Sequence, residues 1–370
     1  MKKKIAVYVG TYTCPIKFGT GQILEGKGKG IYHLELDMET GKLIELEVYD
    51  GVNPSYLVLS HTHKNLYAVN ELKEFEGKAS GSVSAFGISE NDGRLHYINK
   101  QATGGLDPCH VEINSRDSHI YVSNFMTGSV CIYPLGIDGS IGAVAQFIQH
   151  EGSSVNPERQ AGPHAHSLTF SVDGNYAFVP DLGLDKIMIY RVDKKTHTLD
   201  EARVSSFTTR AGAGPRCCIF DNTGKYCYLI NELDCTIVTL SYCADQGSFI
   251  ELQKVSSLPA GVDAPGNTCA DVHITPNGAF LYGSNRGHDS LVIYKIDQET
   301  GLLTYAGCQP CAGKTPRNFA IDPTGRYLLC ANQDTDAIVV FEIDYQTGAL
   351  TLISEINIPT PVCVKIRPEV

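Results

Sequence analysis

Apolar and polar positions alternate along the chain in short runs, and the runs come in pairs around tight turns. From Ser167 to Ser171 the alternation has the two-residue period of a half-buried strand. Val172-Asp173-Gly174 interrupts it, and Tyr176 to Pro180 resumes it, ending on Asp181. Two such runs around an Asp-Gly turn predict a β-hairpin. The same hairpin is written six times. PSYLVLSHTHKNLYAVN from Pro54, PCHVEINSRDSHIYVSN from Pro108, AHSLTFSVDGNYAFVPD from Ala165, PRCCIFDNTGKYCYLIN from Pro215, CADVHITPNGAFLYGSN from Cys269 and PRNFAIDPTGRYLLCAN from Pro316 align end to end. Each closes on Asn or Asp. After each come two more runs, joined by turns such as Glu299-Thr300-Gly301 or Gln346-Thr347-Gly348. The repeating unit is four antiparallel strands in about 45 to 55 residues, with almost no helical period.

A seventh unit is split between the ends. PVCVKIRP, from Pro361, starts one and stops after a single strand. The other end supplies three runs without a first: Ile5 to Tyr12, Gly30 to Asp37 and Leu43 to Asp50. A Gly-rich loop, Gly19 to Gly30, separates the first two of these and is expected to be mobile. The expected fold is therefore all-β: a seven-bladed β-propeller spanning 1–370 as one domain, four antiparallel strands per blade. Its last blade is closed by N- and C-terminal strands. Closure hides both sheet edges, which an open solenoid would leave exposed to edge pairing.

Composition narrows the partners. Thirty Lys and Arg against 41 Asp and Glu leave a formal net charge of −11, with no basic run. Nucleic acid and anionic membrane are poor partners for such a chain. The start, MKKKIAVYVGTYTC, has a basic tip, but its apolar run is too short for a signal peptide. No stretch reaches membrane-spanning length. Several of the thirteen Cys fall inside expected strands, Cys227 and Cys330 among them, where a thiol packs as a small hydrophobe. A reduced, cytoplasmic protein is expected, monomeric or weakly self-associating. Cys308-Gln-Pro-Cys311 has C-x-x-C spacing but sits between strand-like runs, so packing is its expected role.

The repeat locates the chemistry. In a blade the first strand lines the central channel and the second pairs with it around the tight turn. The start of strand one and the end of strand two therefore share the opposite end, on one face of the ring. The starts hold Ser55, Cys109, His166, Arg216, Ala270, Arg317 and Val362. The near-constant Asn/Asp at the ends reads as a turn or cap residue; Asp181, the acidic member, is kept among the binding candidates. The residue after it varies: Glu71, Phe125, Leu182, Glu232, Arg286 and Gln333. One rim thus gathers His166, Arg216, Arg286, Arg317, Glu232 and Glu71, with His110 and His164 adjacent. Three Arg at one opening of an acidic protein imply an anionic ligand, since guanidinium grips carboxylate or phosphate bidentately. His166 and Glu232 are candidates for a general base and its orienting partner. His61-Thr62-His63 falls at the far turn and reads as solvated. His164 and His166 lack an obvious third metal ligand, and neither a metal nor another cofactor is expected. Of Asp271 and His273, one faces the channel and the other reads as a polar partner between blades.

At these residues the chain resembles the bacterial seven-bladed propeller lactonases, a family that includes the propeller-type 6-phosphogluconolactonase and the fungal 3-carboxy-cis,cis-muconate lactonising enzyme. The motifs are Val9-Gly10-Thr11-Tyr12, His166-Ser167, Gly214-Pro215-Arg216, Asn231-Glu232, Asp271 through Gly278, Asn285-Arg286 and Pro316-Arg317. The resemblance implies hydrolysis of a sugar lactone, 6-phospho-D-glucono-1,5-lactone first. A carboxymuconate-type cycloisomerase on the same rim is the alternative, and a non-enzymatic binding scaffold the alternative of another class. It implies catalytic roles for His166, Arg216, Arg286 and Glu232; the rim reading, not the resemblance, adds Arg317, His164, His110, Glu71 and Asp181 as substrate contacts. One departure stands out: the family's Gly-Pro-Arg-His reads Gly-Pro-Arg-Cys here, with Cys217 in place of the His.

Overall fold

The computed structural model describes residues 4–17 and 21–368. Its strands form seven four-stranded antiparallel sheets and one two-stranded pair. Blade 1 runs from Pro54–Leu59 to Leu95–Ala102, blade 2 from Pro108–Ile113 to Gln146–Gln149, and blade 3 from Thr169–Phe170 to Ser205–Thr208. Blade 4 runs from Pro215–Phe220 to Ser248–Ser256, blade 5 from Thr268–Ile274 to Leu303–Pro310, and blade 6 from Pro316–Ile321 to Leu350–Asn357. Blade 7 takes its innermost strand, Pro361–Ile366, from one end of the sequence. It takes Lys4–Thr11, Gly30–Asp37 and Leu43–Asp50 from the other. The expected seven-bladed propeller and its split blade are therefore observed. Val9 pairs with Val364 across the closure, and the Val364 N–H donates to Asn318 Oδ1 of blade 6 at 2.7 Å.

The core lies between blades, where the alternating apolar faces of neighbouring sheets meet. Leu34, Leu36 and Val364 of blade 7, for example, pack on Leu329, Ile338 and Val340 of blade 6. A repeated tyrosine fastens five of the seven interfaces. The second-strand Tyr67, Tyr121, Tyr228, Tyr282 and Tyr8 donate their phenols to Gly139, His197, Gly301, Gly348 and Gly93 carbonyls, each in the outer turn of the next blade. Phe178 and Leu329 stand at the equivalent place in blades 3 and 6 and forgo the bond.

A local irregularity in the inner strands decides which side chains enter the channel. In every blade the innermost strand carries one extra residue near its start relative to its partner. The pairing skips Ser55, Cys109, Arg216, Arg317 and Val362, and it gains a residue across 165–169 and across 269–272. Such a bulge breaks the alternation and re-aims a side chain. The bulges shorten the third blade's inner strand to Thr169–Phe170, whereas the alternation predicts a strand from Ser167. Five of the inner strands are also entered through a left-handed residue before proline: Asn53, Asp107, Gly214, Thr315 and Thr360. Residues 19 and 20 of the expected mobile loop lie outside the described residues. Beside them Ile16–Lys17 pairs with Ile23–Leu24, because Ile16 buries against Tyr12 and Val362.

Candidate active site

The bulges and the strand-two ends meet on one face. Each residue after strand two is tied back to the entry of strand one. The N–H groups of Glu71, Phe125, Leu182, Glu232 and Gln333 donate to the carbonyls of Asn53, Asp107, His164, Gly214 and Thr315. In blade 5, Thr268 pairs with Arg286 directly. The result is a cavity of about 310 Å³ at the channel mouth, lined by Glu71, Cys109, His166, Glu232, Arg286 and Arg317 among others. A void of about 30 Å³ lies beneath it and shares Cys109, His166 and Arg317 with it; Arg216, Cys217, His110 and Asp271 complete its wall.

Glu232 is the hub of the charge network. Its Oε2 accepts from Arg216 Nε at 3.1 Å and Arg286 Nη2 at 3.0 Å, and its Oε1 from Arg159 Nη2 at 2.5 Å. Arg216 also donates Nη1 to the Ala270 carbonyl, and Arg286 donates Nη2 to the Cys269 carbonyl at 2.8 Å. Burial would raise the Glu232 carboxyl, but Arg286, Arg159 and Arg216 outweigh it and hold it well below the usual carboxylate range. Arg286 is also lowered, here against its charged form: burial, with Arg216, Arg317 and Arg159 nearby, brings it to about 10 despite Glu232. Among the described residues its buried Nε has no hydrogen-bond partner, an exception among buried donors that calls for an acceptor from elsewhere.

His166 stands at the bulge of blade 3, 8% exposed. Its Nδ1 is 3.8 Å from the Cys109 sulfur, and the Phe125 ring meets it edge-on at 5.3 Å. Burial, then Arg216, hold the imidazole well below its ordinary value, with Glu232 offsetting only part. It is therefore neutral at pH 7, the form that accepts a proton. Glu71 lies across the cavity, where it accepts from the Tyr12 phenol at 2.9 Å. Burial pushes its carboxyl up against the pull of Arg317. Arg317 itself lies 5.4 Å from the Tyr12 ring centre.

Three candidates lie off the cavity wall. Asp181 is fully buried. It accepts from His150 Nδ1 at 2.7 Å and from the His164, Gly183 and Leu184 N–H groups, so its carboxylate caps a turn instead of facing a ligand. His164 stacks on Phe125 at 4.6 Å and contacts its carbonyl at 2.9 Å; it props a wall residue. His110 sits in the lower void against Tyr56 at 4.4 Å, where burial lowers it to about 3. Cys217 faces the same void, 3.5 Å from the Ala270 carbonyl, so the departure from the family motif falls below the mouth. Asp271 bridges blades: it meets His273 Nε2 at 3.0 Å and accepts from Asn318 Nδ2 at 2.5 Å.

Arg159 is the residue that the repeat does not reveal. It belongs to the long connection 150–164, outside the four-strand unit; the length of that connection at the rim is its only signal. A larger cavity, about 590 Å³, opens on the other face. Its Lys4 and Lys64 already pair with Glu35 at 2.7 Å and Glu90 at 3.2 Å, so it offers little net charge. Among the described residues no cluster could hold a metal ion, and no helix is long and apolar enough to cross a membrane.

Comparison with known proteins agrees with this geometry. The family model for lactonases with a seven-bladed β-propeller matches residues 6–366. The 6-phosphogluconolactonase of Bacillus subtilis is 34% identical over 360 residues, 97% of both chains. That of Formosa agariphila is 36% identical over 297 residues, 79% of this chain and 82% of its own. The solved periplasmic gluconolactonase of Pseudomonas aeruginosa superposes with a TM-score of 0.89 at 30% identity, over 99% of each chain.

Proposed function

This chain belongs to the seven-bladed β-propeller lactonases, and on that premise we propose that it hydrolyses 6-phospho-D-glucono-1,5-lactone to 6-phospho-D-gluconate. The observation that carries the reading is the cluster of four guanidiniums at the mouth. Arg159, Arg216, Arg286 and Arg317 surround one ionised carboxylate, Glu232. A substrate with a phosphate and a carbonyl that becomes an oxyanion would give those guanidiniums two anionic partners.

Each residue has its own part in the reaction. Neutral His166 takes a proton from water as the water oxygen attacks the lactone carbonyl. Arg216 and Arg286 stabilise the oxyanion, and the orphaned Arg286 Nε supplies a donor for it. The carbonyl reforms, the ring C–O bond breaks, and the imidazolium returns its proton to the leaving oxygen. Glu232 is a weak base in this setting, since three guanidiniums hold its lone pairs; its task is to aim them. Water and lactone give the acid, which ionises at neutral pH. Thirteen free cysteines suit a reducing compartment, and we place the protein in the cytoplasm.

The test is a hydrolysis assay with the lactone generated in situ and spontaneous opening subtracted, with and without EDTA. The expected result is chelator-resistant turnover well above background, reduced about 10²-fold or more in His166→Asn. A wild-type rate no faster than spontaneous opening overturns the assignment.

A further inference from the structure

The connection 150–164 is long, yet it is pinned throughout. The Gln160 side chain, wholly buried, donates Nε2 to the Leu182 carbonyl and to Asp185 Oδ1, both at 2.8 Å. Ser154 Oγ donates to Asp185 Oδ2 at 2.5 Å. Asn156 Oδ1 accepts from the Glu158 and Arg159 N–H groups at 3.0 and 3.1 Å, which closes a tight turn. Asp185 also accepts from the Gly212 and Gly214 N–H groups at 2.7 and 2.8 Å, so one carboxylate joins this strap to the entry of the Arg216 strand. The strap lies directly on the next turn: a Cβ on Gly183 would come within 1.9 Å of the Gly162 carbonyl.

All this holds one guanidinium over the cavity. The other three arginines come from the blades themselves. Arg216 and Arg286 share one oxygen of Glu232, whereas Arg159 alone takes the other. Arg216 is the deepest of the three on Glu232, its side chain 8% exposed against 15% for Arg286 and 17% for Arg159. A phosphate monoester carries about −1.5 to −2 at pH 7 and is strongly hydrated. It suits the open side of the mouth, with exposed Lys17 on the same wall, while the carbonyl reaches inward to His166 and Arg216.

We infer that Arg159 is a specificity-determining residue that grips the phosphate and sets the preference for phosphorylated over unphosphorylated lactones. This rests on the lactonase reading. A pinned strap spends no ordering entropy at binding, and a planar fork matches phosphate bidentately.

The experiment compares kcat/KM for 6-phosphogluconolactone and for glucono-1,5-lactone in wild type, Arg159→Ala and Arg159→Lys, with each variant's melting temperature measured. Arg159→Ala is expected to lower the phosphorylated-to-unphosphorylated ratio about tenfold or more, chiefly through KM. Arg159→Lys should restore part of it, since charge returns without the fork. Loss of both activities in parallel through kcat, or an unchanged ratio, overturns the inference. If wild type hydrolyses neither lactone, the lactonase reading fails by itself. Calorimetric affinities for 6-phosphogluconate and gluconate then decide Arg159: a selectivity that the Ala variant loses upholds it, and equal affinities in wild type overturn it.

Discussion

Glu71 and Glu232 occupy the same place in the repeat. Each follows the Asn that ends a second strand, and each is nearly buried. The N–H of each bonds the residue before strand one, to Asn53 at 2.9 Å and to Gly214 at 2.7 Å. Yet burial drives Glu71 upward, while three guanidiniums drive Glu232 far down. The backbone repeat decides where a side chain stands. The residues that other blades and the strap bring to it decide its charge. One symmetric position thereby yields a carboxyl biased toward its neutral form beside a phenol and a carboxylate locked in its ionised form.

The sharpest way to break that contrast is to neutralise both. Glu232→Gln removes the shared partner of buried Arg216 and half-buried Arg286 and Arg159, and about 3 kcal/mol of stability should go with it, read by denaturant unfolding. A variant as stable as wild type would show that the network carries little folding energy. Arg286→Ala should come next. It should lower kcat about 10²- to 10³-fold with the fold intact; near-normal turnover in a folded variant would remove Arg286 from oxyanion stabilisation.

Acidity separates the two glutamates by sign. The Glu232 value is depressed on folding, so its contribution is present above the unfolded value of about 4.3 and is lost as pH falls through the folded one. The Glu71 value is raised, so its contribution is present below about 4.3 and is lost as pH rises through the folded value. The Gln variant at 232 should therefore gain on wild type toward acid, and that at 71 should gain as pH rises above about 4.3. Parallel stability profiles would refute the assigned environments. The smallest change is the Tyr67→Phe variant, which deletes one tie between blades 1 and 2. It should cost about 1 kcal/mol and leave kcat/KM unmoved; a shift in catalysis would mean that interface strain reaches the mouth.

Most of the ring was legible because it is periodic. Six copies of one hairpin, with a strand left over at one end and three at the other, leave few ways to close a sheet. The rim followed from the same symmetry, which places His166, Arg286, Arg317, Glu232 and Glu71 around one cavity and Arg216 in the void beneath it. What escaped had no period. Arg159 sits in an insertion, and the alternation of a strand says nothing about a loop. Asp181 shared its blade position with five Asn, and the turn it caps already accounted for it. The bulges were hidden too: one extra residue per inner strand leaves no mark on composition, though it sets which side chain enters the channel.

The split blade also has a temporal meaning. Lys4–Thr11 emerges from the ribosome early, but its inner partner Pro361–Ile366 is made after every other strand of the ring. At about 5–20 residues per second the wait is on the order of tens of seconds. Throughout it, the inner edge of Lys4–Thr11 has no native partner; Asn318, made 46 residues before Val364, waits only the last few seconds for its amide. A chain that stops short of Pro361 would keep six blades and three strands of the seventh, with the ring unlatched. Such a product is a natural client for chaperones and proteases, even though it holds every arginine of the mouth.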